Sequence, residues 1–403
     1  MFNLLVITYI PSPYQVELFN AIAERTCKVI AERSQGEIAL SGKFKLTVAY
    51  LQASCDAPIA QKWQQPDIQH DHLILGDYLS GTLRDRPENF QQLEQELDAT
   101  DLVVFNYYQH PRLGQLMDRC LELNKPWCFW GERPGFKHSG LLGWLYRRWK
   151  LASLHESSAP IWGVGIWGVE QYRREFGISR TYFDLPYFSN LNRFSNPNPS
   201  HAQDKRVFLY SGALIERKGV DLLAAAFGRL AEKFDHLELH FLGDGDLRPA
   251  LEKQLAKYSD QVKFHGFQPW VQLPHYYHQA DILCVPSRYD GWGMVIPEGL
   301  AAGLPVIGTD STCAAIELIK DGHNGWLIDA DSEESLYEAM FRAIKLSPEE
   351  LANYSRGASD RAASHSLSYG VQRFEQAAME TIQQFAFVDS PQGINTKRLI
   401  ANN

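Results

Sequence analysis

Cysteine is scarce in this chain: six among 403 residues, at positions 27, 55, 120, 128, 284 and 313, with no C-x-x-C pair. That scatter argues against a disulfide framework and a zinc site. Cys128 and Cys284 stand in apolar runs and read as core packing. Basic charge is not in excess: the formal net charge is -9. Bulk attraction to nucleic acid is therefore not expected. No apolar run approaches the roughly 20 residues of a membrane span. Met1 leads directly into Asn3-Leu4-Leu5-Val6-Ile7, a strand pattern with no basic region or cleavable apolar stretch before it. A cytoplasmic protein without a secretory signal is expected. Also missing is the third glycine of a G-x-G-x-x-G turn after Gly243-Asp244-Gly245, since position 248 is Arg. That weakens a dinucleotide-enzyme reading.

What is present is a repeated alternation of short apolar strands and helices, over a length that suits two domains. Strands are expected at Leu4 to Tyr9, Phe44 to Leu51, Asp101 to Phe105, Pro126 to Trp130 and Trp162 to Trp167. Helices are expected at Gln15 to Glu24, Leu113 to Leu123 and Val169 to Phe176. Residues 52 to 90 have weak periodicity and read as irregular connections around a short strand at His72 to Leu75. SNPNPSHAQDK, residues 195 to 205, is polar and proline-rich and reads as a linker. A second alternating unit starts at Val207. The pattern predicts a parallel sheet covered on both faces in each half. The segment LLGWLYRRWKL, 141 to 151, mixes Leu and Trp with Arg and Lys. It reads as a core-packing helix with a basic exposed face, or as an interfacial membrane helix.

Ala280 to Ile328 is the most specific stretch. Ile282 to Val285 is a strand closed by Pro286. A loop with Asp290, Gly291 and Gly293 follows, then a helix from Pro297 stopped by Gly303, then a strand at Val306. A glycine loop between a strand end and a helix N-terminus is where α/β sheets bind nucleotides. Taken singly, Asp290 reads as a turn residue and Glu298 as a first-turn acid. A second stretch, SGALIERKGVD from Ser211, puts Arg217 and Lys218 ahead of a helix N-terminus, which suits a diphosphate.

Asp290-Gly291-Trp292-Gly293 through Glu298 to Ala302-Gly303-Leu304-Pro305-Val306 resembles the signature of retaining glycosyltransferases of the GT-B fold, family 4 (the group 1 glycosyltransferases). The family usually has Glu where this chain has Asp290. Its second phosphate-binding cation usually stands where this chain has Ala213, and a donor-sugar His where it has Glu132. The resemblance implies an α/β chain with two Rossmann-like domains facing a central cleft, and Leu185 to Asn190 resembles the last strand and turn of the family's first domain. The first, over 1–195, would hold the acceptor and the second, over 205–367, the donor. A helix over 368–386 would return to the first domain, and 387–403 would form a disordered tail.

The implied reaction is transfer of a hexosyl group, with retention, from a UDP- or GDP-sugar to a carbohydrate or lipid-linked acceptor. Polysaccharide or glycoconjugate synthesis is the expected setting. Glu298 would hold the ribose, and Asp290 and Glu132 the sugar. Lys218 and Arg217 would hold the diphosphate, with Gly212, Ser12 and the backbone of Gly293, Met294 and Val295 lining the donor site. No metal is expected, because the cations and a helix N-terminus can stabilise the leaving group. Neither domain is expected to show the Asp-x-Asp metal pair of the other glycosyltransferase fold. Peripheral membrane contact through 141–151 is a further expectation. The alternatives are a GT-B epimerase or phosphorylase and a non-catalytic carbohydrate-binding relative.

Overall fold

The computed structural model describes residues 1–34, 44–53, 67–79, 82–134, 140–196 and 205–388. The linker at 197–204 and the tail from 389 lie outside the described residues. Two units partition the chain. Of the described residues, the first holds those up to 53, those from 67 to 189 and those from 367 to 388, and the second holds those from 190 to 366.

The first unit runs β1 (Phe2–Thr8), α1 (Pro13–Ser34), β2 (Phe44–Tyr50), β3 (Asp71–Ile74), a hairpin of β4 (Gly76–Leu79) and β5 (Thr82–Asp85), then α2 (Pro87–Ala99). It continues through β6 (Leu102–Phe105), α3 (Pro111–Glu122), β7 (Trp127–Gly131), α4 (Gly140–Lys150), α5 (Ala152–Glu156), β8 (Ile161–Gly163), α6 (Gly165–Phe176) and β9 (Tyr182–Asp184). Seven strands form one sheet in the order β3-β2-β1-β6-β7-β8-β9. Every pairing in it is parallel. Central strands such as LVVF in β6 are apolar at every position because helices cover both faces.

Three expectations need correction. The strand expected over Trp162 to Trp167 ends at Gly163, and Trp167 lies on α6. Gly165, at φ +79°, turns the chain out of the strand and into that helix. The strand expected in Leu185 to Asn190 is instead Tyr182–Asp184. Leu185 still donates its N–H to Gly163, but Pro186 has no N–H to continue the ladder. Residues 52 to 90 hold the start of a real helix, α2, which buries Phe90, Leu93 and Leu97.

The second unit runs β10 (Arg206–Ser211), α7 (Val220–Ala231), β11 (Leu237–Leu242), α8 (Arg248–Gln254), β12 (Val262–Gly266), α9 (Leu273–Tyr277) and β13 (Ile282–Val285). It ends with α10 (Val295–Ala301), β14 (Val306–Thr309), α11 (Cys313–Leu318), β15 (Gly325–Ile328), α12 (Glu333–Lys345) and α13 (Pro348–Ala363). Its six strands are also all parallel, ordered β12-β11-β10-β13-β14-β15. The 3-10 turn Leu191–Phe194 belongs to this unit, and the Phe194 ring packs on Tyr277.

The last helix, α14 (Leu367–Val388), joins the first unit. Phe374 is fully buried among Phe19, Trp130 and Trp162. The Trp162 indole donates to Thr381 Oγ1 at 3.2 Å. Each sheet therefore presents its strand carboxyl ends as one row of loops, which is where such sheets place their ligand groups.

Candidate functional site

In the second unit, two loops at adjacent strand ends carry the charged residues. β10 feeds the 3-10 turn Glu216–Lys218 and then α7. β13 feeds the loop to α10. The loops meet through Gly219. Its φ is +67°, and a Cβ there would stand 2.0 Å from the Pro286 carbonyl oxygen. Only glycine allows that approach. Two backbone-directed bonds tie the loops: Arg288 donates its N–H to the Arg217 carbonyl at 2.9 Å, and Arg217 donates a guanidinium N–H to Tyr289 O at 2.8 Å.

Asp290 sits under this junction. Lys218 Nζ donates to its Oδ2 at 2.5 Å, and an Arg217 nitrogen lies 3.9 Å from Oδ1. The Lys218 and Asp290 side chains are mostly buried. Asp290 and Lys218 were expected to serve different parts of a donor, and here they meet. A lysine ammonium has three donors, so Lys218 can keep Asp290 and still reach an anion. Gly293, at φ +99°, passes so close to Thr312 that a Cβ would lie 2.7 Å from its Cγ2. Gly293, Met294 and Val295 lead into the first turn of α10, where Ile296 donates its N–H to the Gly293 carbonyl at 3.0 Å and Glu298 donates its N–H to Met294 O at 3.3 Å. Gly212 follows β10 directly, and the Tyr210 hydroxyl donates to Ala213 O at 2.7 Å.

Glu298 is only 6% exposed. Tyr277 donates its hydroxyl to Glu298 Oε2 at 3.2 Å. The same hydroxyl is hydrogen-bonded with Ser211 at the end of β10. Burial pushes the Glu298 carboxyl up to about 7, opposed by the Tyr277 hydroxyl, the Arg193 charge and a hydrogen bond from Trp270. Arg193 lies over the Trp270 ring, 3.9 Å from its centroid. Glu298 is thus a buried acid ringed by hydrogen-bond donors.

Ser12 and Glu132 belong to the first unit, and one polar chain joins them. The Ser12 hydroxyl donates to Gln15 Oε1 at 2.8 Å. Gln15 Nε2 donates to Asn106 Oδ1 at 2.6 Å. The Tyr187 hydroxyl is hydrogen-bonded with both Asn106 and Glu132. Glu132 is exposed just past β7, and its carbonyl accepts from the Tyr172 hydroxyl at 2.6 Å.

Tyr277, Trp270, Arg193 and Arg288 escaped the sequence reading. Arg288 could have been found, since it stands two places before Asp290 in the same motif. The other three lie in short elements with no periodic pattern.

Two Asp-x-Asp triplets do occur, Asp244-Gly245-Asp246 and Asp329-Ala330-Asp331. The first turns inward on its own backbone, with Asp244 accepting from the Gly245 N–H at 2.9 Å. In the second, Asp329 accepts from Ser335 and Asp331 from Arg288. Among the described residues, no group of three or more His, Cys, Asp or Glu is placed to hold a metal ion.

The segment 141–151 departs from the core-packing expectation. Leu141, Leu142 and Trp149 on α4 are 72%, 81% and 69% exposed. Arg147 is buried instead, with Nε on both oxygens of Glu175 at 3.0 and 3.2 Å. Among the described residues, no helix is long and apolar enough to cross a membrane.

The family model for glycosyl transferases, group 1, matches residues 192–361. Over those residues, fewer than half of the chain, it is similar to the group 1 glycosyl transferases. An uncharacterized glycosyltransferase of Haemophilus influenzae is 27% identical over 192 residues, 46% of this chain and 53% of that protein. The amylovoran biosynthesis glycosyltransferase AmsD of Erwinia amylovora is 27% identical over 175 residues, 42% of this chain and 46% of that protein. The chain thus spans about half the length of these curated relatives.

Anabaena HepE, solved in complex with UDP, superposes with a TM-score of 0.71 at 16% identity, covering 94% of this chain and 100% of that one. The sucrose-phosphate synthase of Thermosynechococcus elongatus superposes at 0.68 and 17% identity, covering 95% and 99%. Both likenesses concern the fold, two Rossmann-like parallel-sheet domains of the GT-B type.

Proposed function

We propose that the protein is a retaining hexosyltransferase of family 4. It would use a UDP- or GDP-sugar, need no divalent metal, and act on a carbohydrate or lipid-linked acceptor in glycoconjugate synthesis. The supporting observation is the pairing of two sites on adjacent strand ends. One is the buried, donor-ringed Glu298. The other is the Lys218–Asp290 junction with Arg217 beside it. On this reading Glu298 accepts the ribose hydroxyls. Lys218, Arg217 and the Gly293–Val295 backbone face the diphosphate, with Gly212 at the neighbouring strand end. Asp290 would accept sugar hydroxyls, and for Glu132 and Ser12 in the first unit a sugar and a donor role rest on the family resemblance alone.

The chemistry follows from charge. The bond from the anomeric carbon to the diphosphate oxygen breaks as the acceptor oxygen bonds to that carbon. Negative charge grows on the leaving diphosphate, where two preorganised cations count for most. The acceptor hydroxyl proton ends on the leaving group or on solvent.

The second part of the proposal is peripheral attachment at the cytoplasmic membrane face. It is supported by α4, which exposes Leu141, Leu142, Leu145 and Trp149 beside Arg148 and Lys150 and contains no acid. Apolar insertion with cations alongside suits an anionic lipid surface.

The deciding experiment is a screen of labelled UDP- and GDP-sugars for hydrolysis and transfer, followed by NMR of the product's anomeric proton. Transfer with retention is expected. Inversion, a C-epimerised donor, or a sugar phosphate formed from inorganic phosphate would each replace the proposal with one of its rivals.

A further inference from the structure

Arg288 makes four side-chain hydrogen bonds, all to protein groups. Its Nη1 and Nη2 take both oxygens of Asp221, each at 2.7 Å. Nη1 also donates to the Glu216 carbonyl at 2.6 Å, and Nε to Asp331 Oδ1 at 2.6 Å. Its own N–H is held by the Arg217 carbonyl. The side chain is mostly shielded, at 19% exposure.

Four segments therefore converge on one guanidinium: the turn carrying Arg217 and Lys218, the first turn of α7, the turn before α12, and the loop that carries Asp290. Asp331 holds a left-handed backbone at φ +58°, a turn conformation that Asp tolerates better than most residues. The guanidinium fork suits this role because its planar donors fit a carboxylate two at a time, which an ammonium cannot do.

We infer that Arg288 is a positioning residue that sets the spacing between the Lys218 turn and the Asp290 loop, and so the fit of the diphosphate. The inference rests on the phosphate reading of Lys218. Arg288 does not touch the diphosphate. It holds the two loops in the register in which Lys218 reaches Asp290. Glu298 is held separately, by Tyr277 and Trp270, so its affinity for a nucleoside does not depend on Arg288.

That separation supplies the test. Titrate UDP and GDP into the wild-type protein by calorimetry, and carry forward whichever binds, beside its nucleoside. Arg288→Lys is expected to weaken the diphosphate about tenfold and leave the nucleoside unchanged, with an unfolding midpoint close to wild type. Asp221→Asn, which removes the bidentate partner, should do the same, and serves where Arg288→Lys does not fold. The double variant should lose no more than either single one.

Lys218→Met separates the two layers of argument. If it leaves diphosphate affinity unchanged, the phosphate reading falls and the positioning role with it. If it weakens the diphosphate while Arg288→Lys and Asp221→Asn do not, the positioning role alone is overturned. Parallel loss of diphosphate and nucleoside in the Arg288 variant would also overturn it, because that marks general loosening.

Discussion

Glu298→Gln should make the protein more stable at pH 8 and worse at holding its nucleotide. Burial lifts the Glu298 carboxyl from an ordinary 4.5 to about 7. For an acid, a raised value means the folded state binds more protons than the unfolded chain across that interval. Stability therefore falls as pH rises from about 4.5 to about 7, and the full cost is present above it. At roughly 1.4 kcal/mol per pH unit, the displacement is worth about 3 kcal/mol. Glutamine is neutral throughout and keeps an oxygen to accept from Tyr277 and Trp270. Urea unfolding should give similar midpoints for the two proteins near pH 4.5 and a lead of about 3 kcal/mol for the variant at pH 8. Calorimetry at pH 8 should show nucleoside diphosphate affinity reduced about ten- to a hundredfold, the value of one charge-assisted hydrogen-bonding group. A variant that is no more stable than wild type at pH 8, or that binds as tightly, would refute the idea that folding stability is given up here for an ionised ribose acceptor.

The remaining expectations are as follows. Asp290→Ala should alter the rate ratio between two epimeric sugar donors; an unchanged ratio counts against a sugar contact at Asp290. Transfer should persist in excess chelator, and activity that magnesium or manganese restores would remove the metal-free reading. Wild-type protein should sediment with anionic liposomes at low salt and Leu142→Asp/Trp149→Glu should not; absence of wild-type binding ends the membrane proposal. Arg147→Met should cost about 3–5 kcal/mol by leaving Glu175 buried without its cation, and Arg147→Met/Glu175→Leu should recover much of that in urea unfolding.

The two parallel sheets were legible because their strands are short, apolar and closed by Gly or Pro. ILCV before Pro286 and LELHFL before Gly243 mark β13 and β11 to the residue. Helix α2 was hidden by its composition. Phe90, Leu93 and Leu97 keep helical spacing, but Gln and Glu fill the positions between them and the segment reads as polar. Helix α4 was misjudged for a different reason. Its residues suit burial on either face, and what selects the face is Glu175 on α6, a tertiary partner that no local pattern announces. At the site, Asp290, Lys218 and Glu298 were visible as a spaced motif. Tyr277 and Trp270 were not, because the parts they play depend only on where the second sheet's turns bring them.

The assignment of α14 to the first unit has a consequence for how the polypeptide is made. The gap between Phe19, Trp130 and Trp162 is closed by Phe374, so the first unit is completed by residues made after the whole of 190–366. At roughly 5–20 residues per second, the ribosome needs about 10–40 s to cross the second unit before that plug emerges. The second unit can reach its native packing first. During that wait, the unit begun first shows bare indole and phenyl rings to the cell. A nascent chain of this architecture thus has a defined interval in which a chaperone has something to hold, and it closes when one phenylalanine arrives.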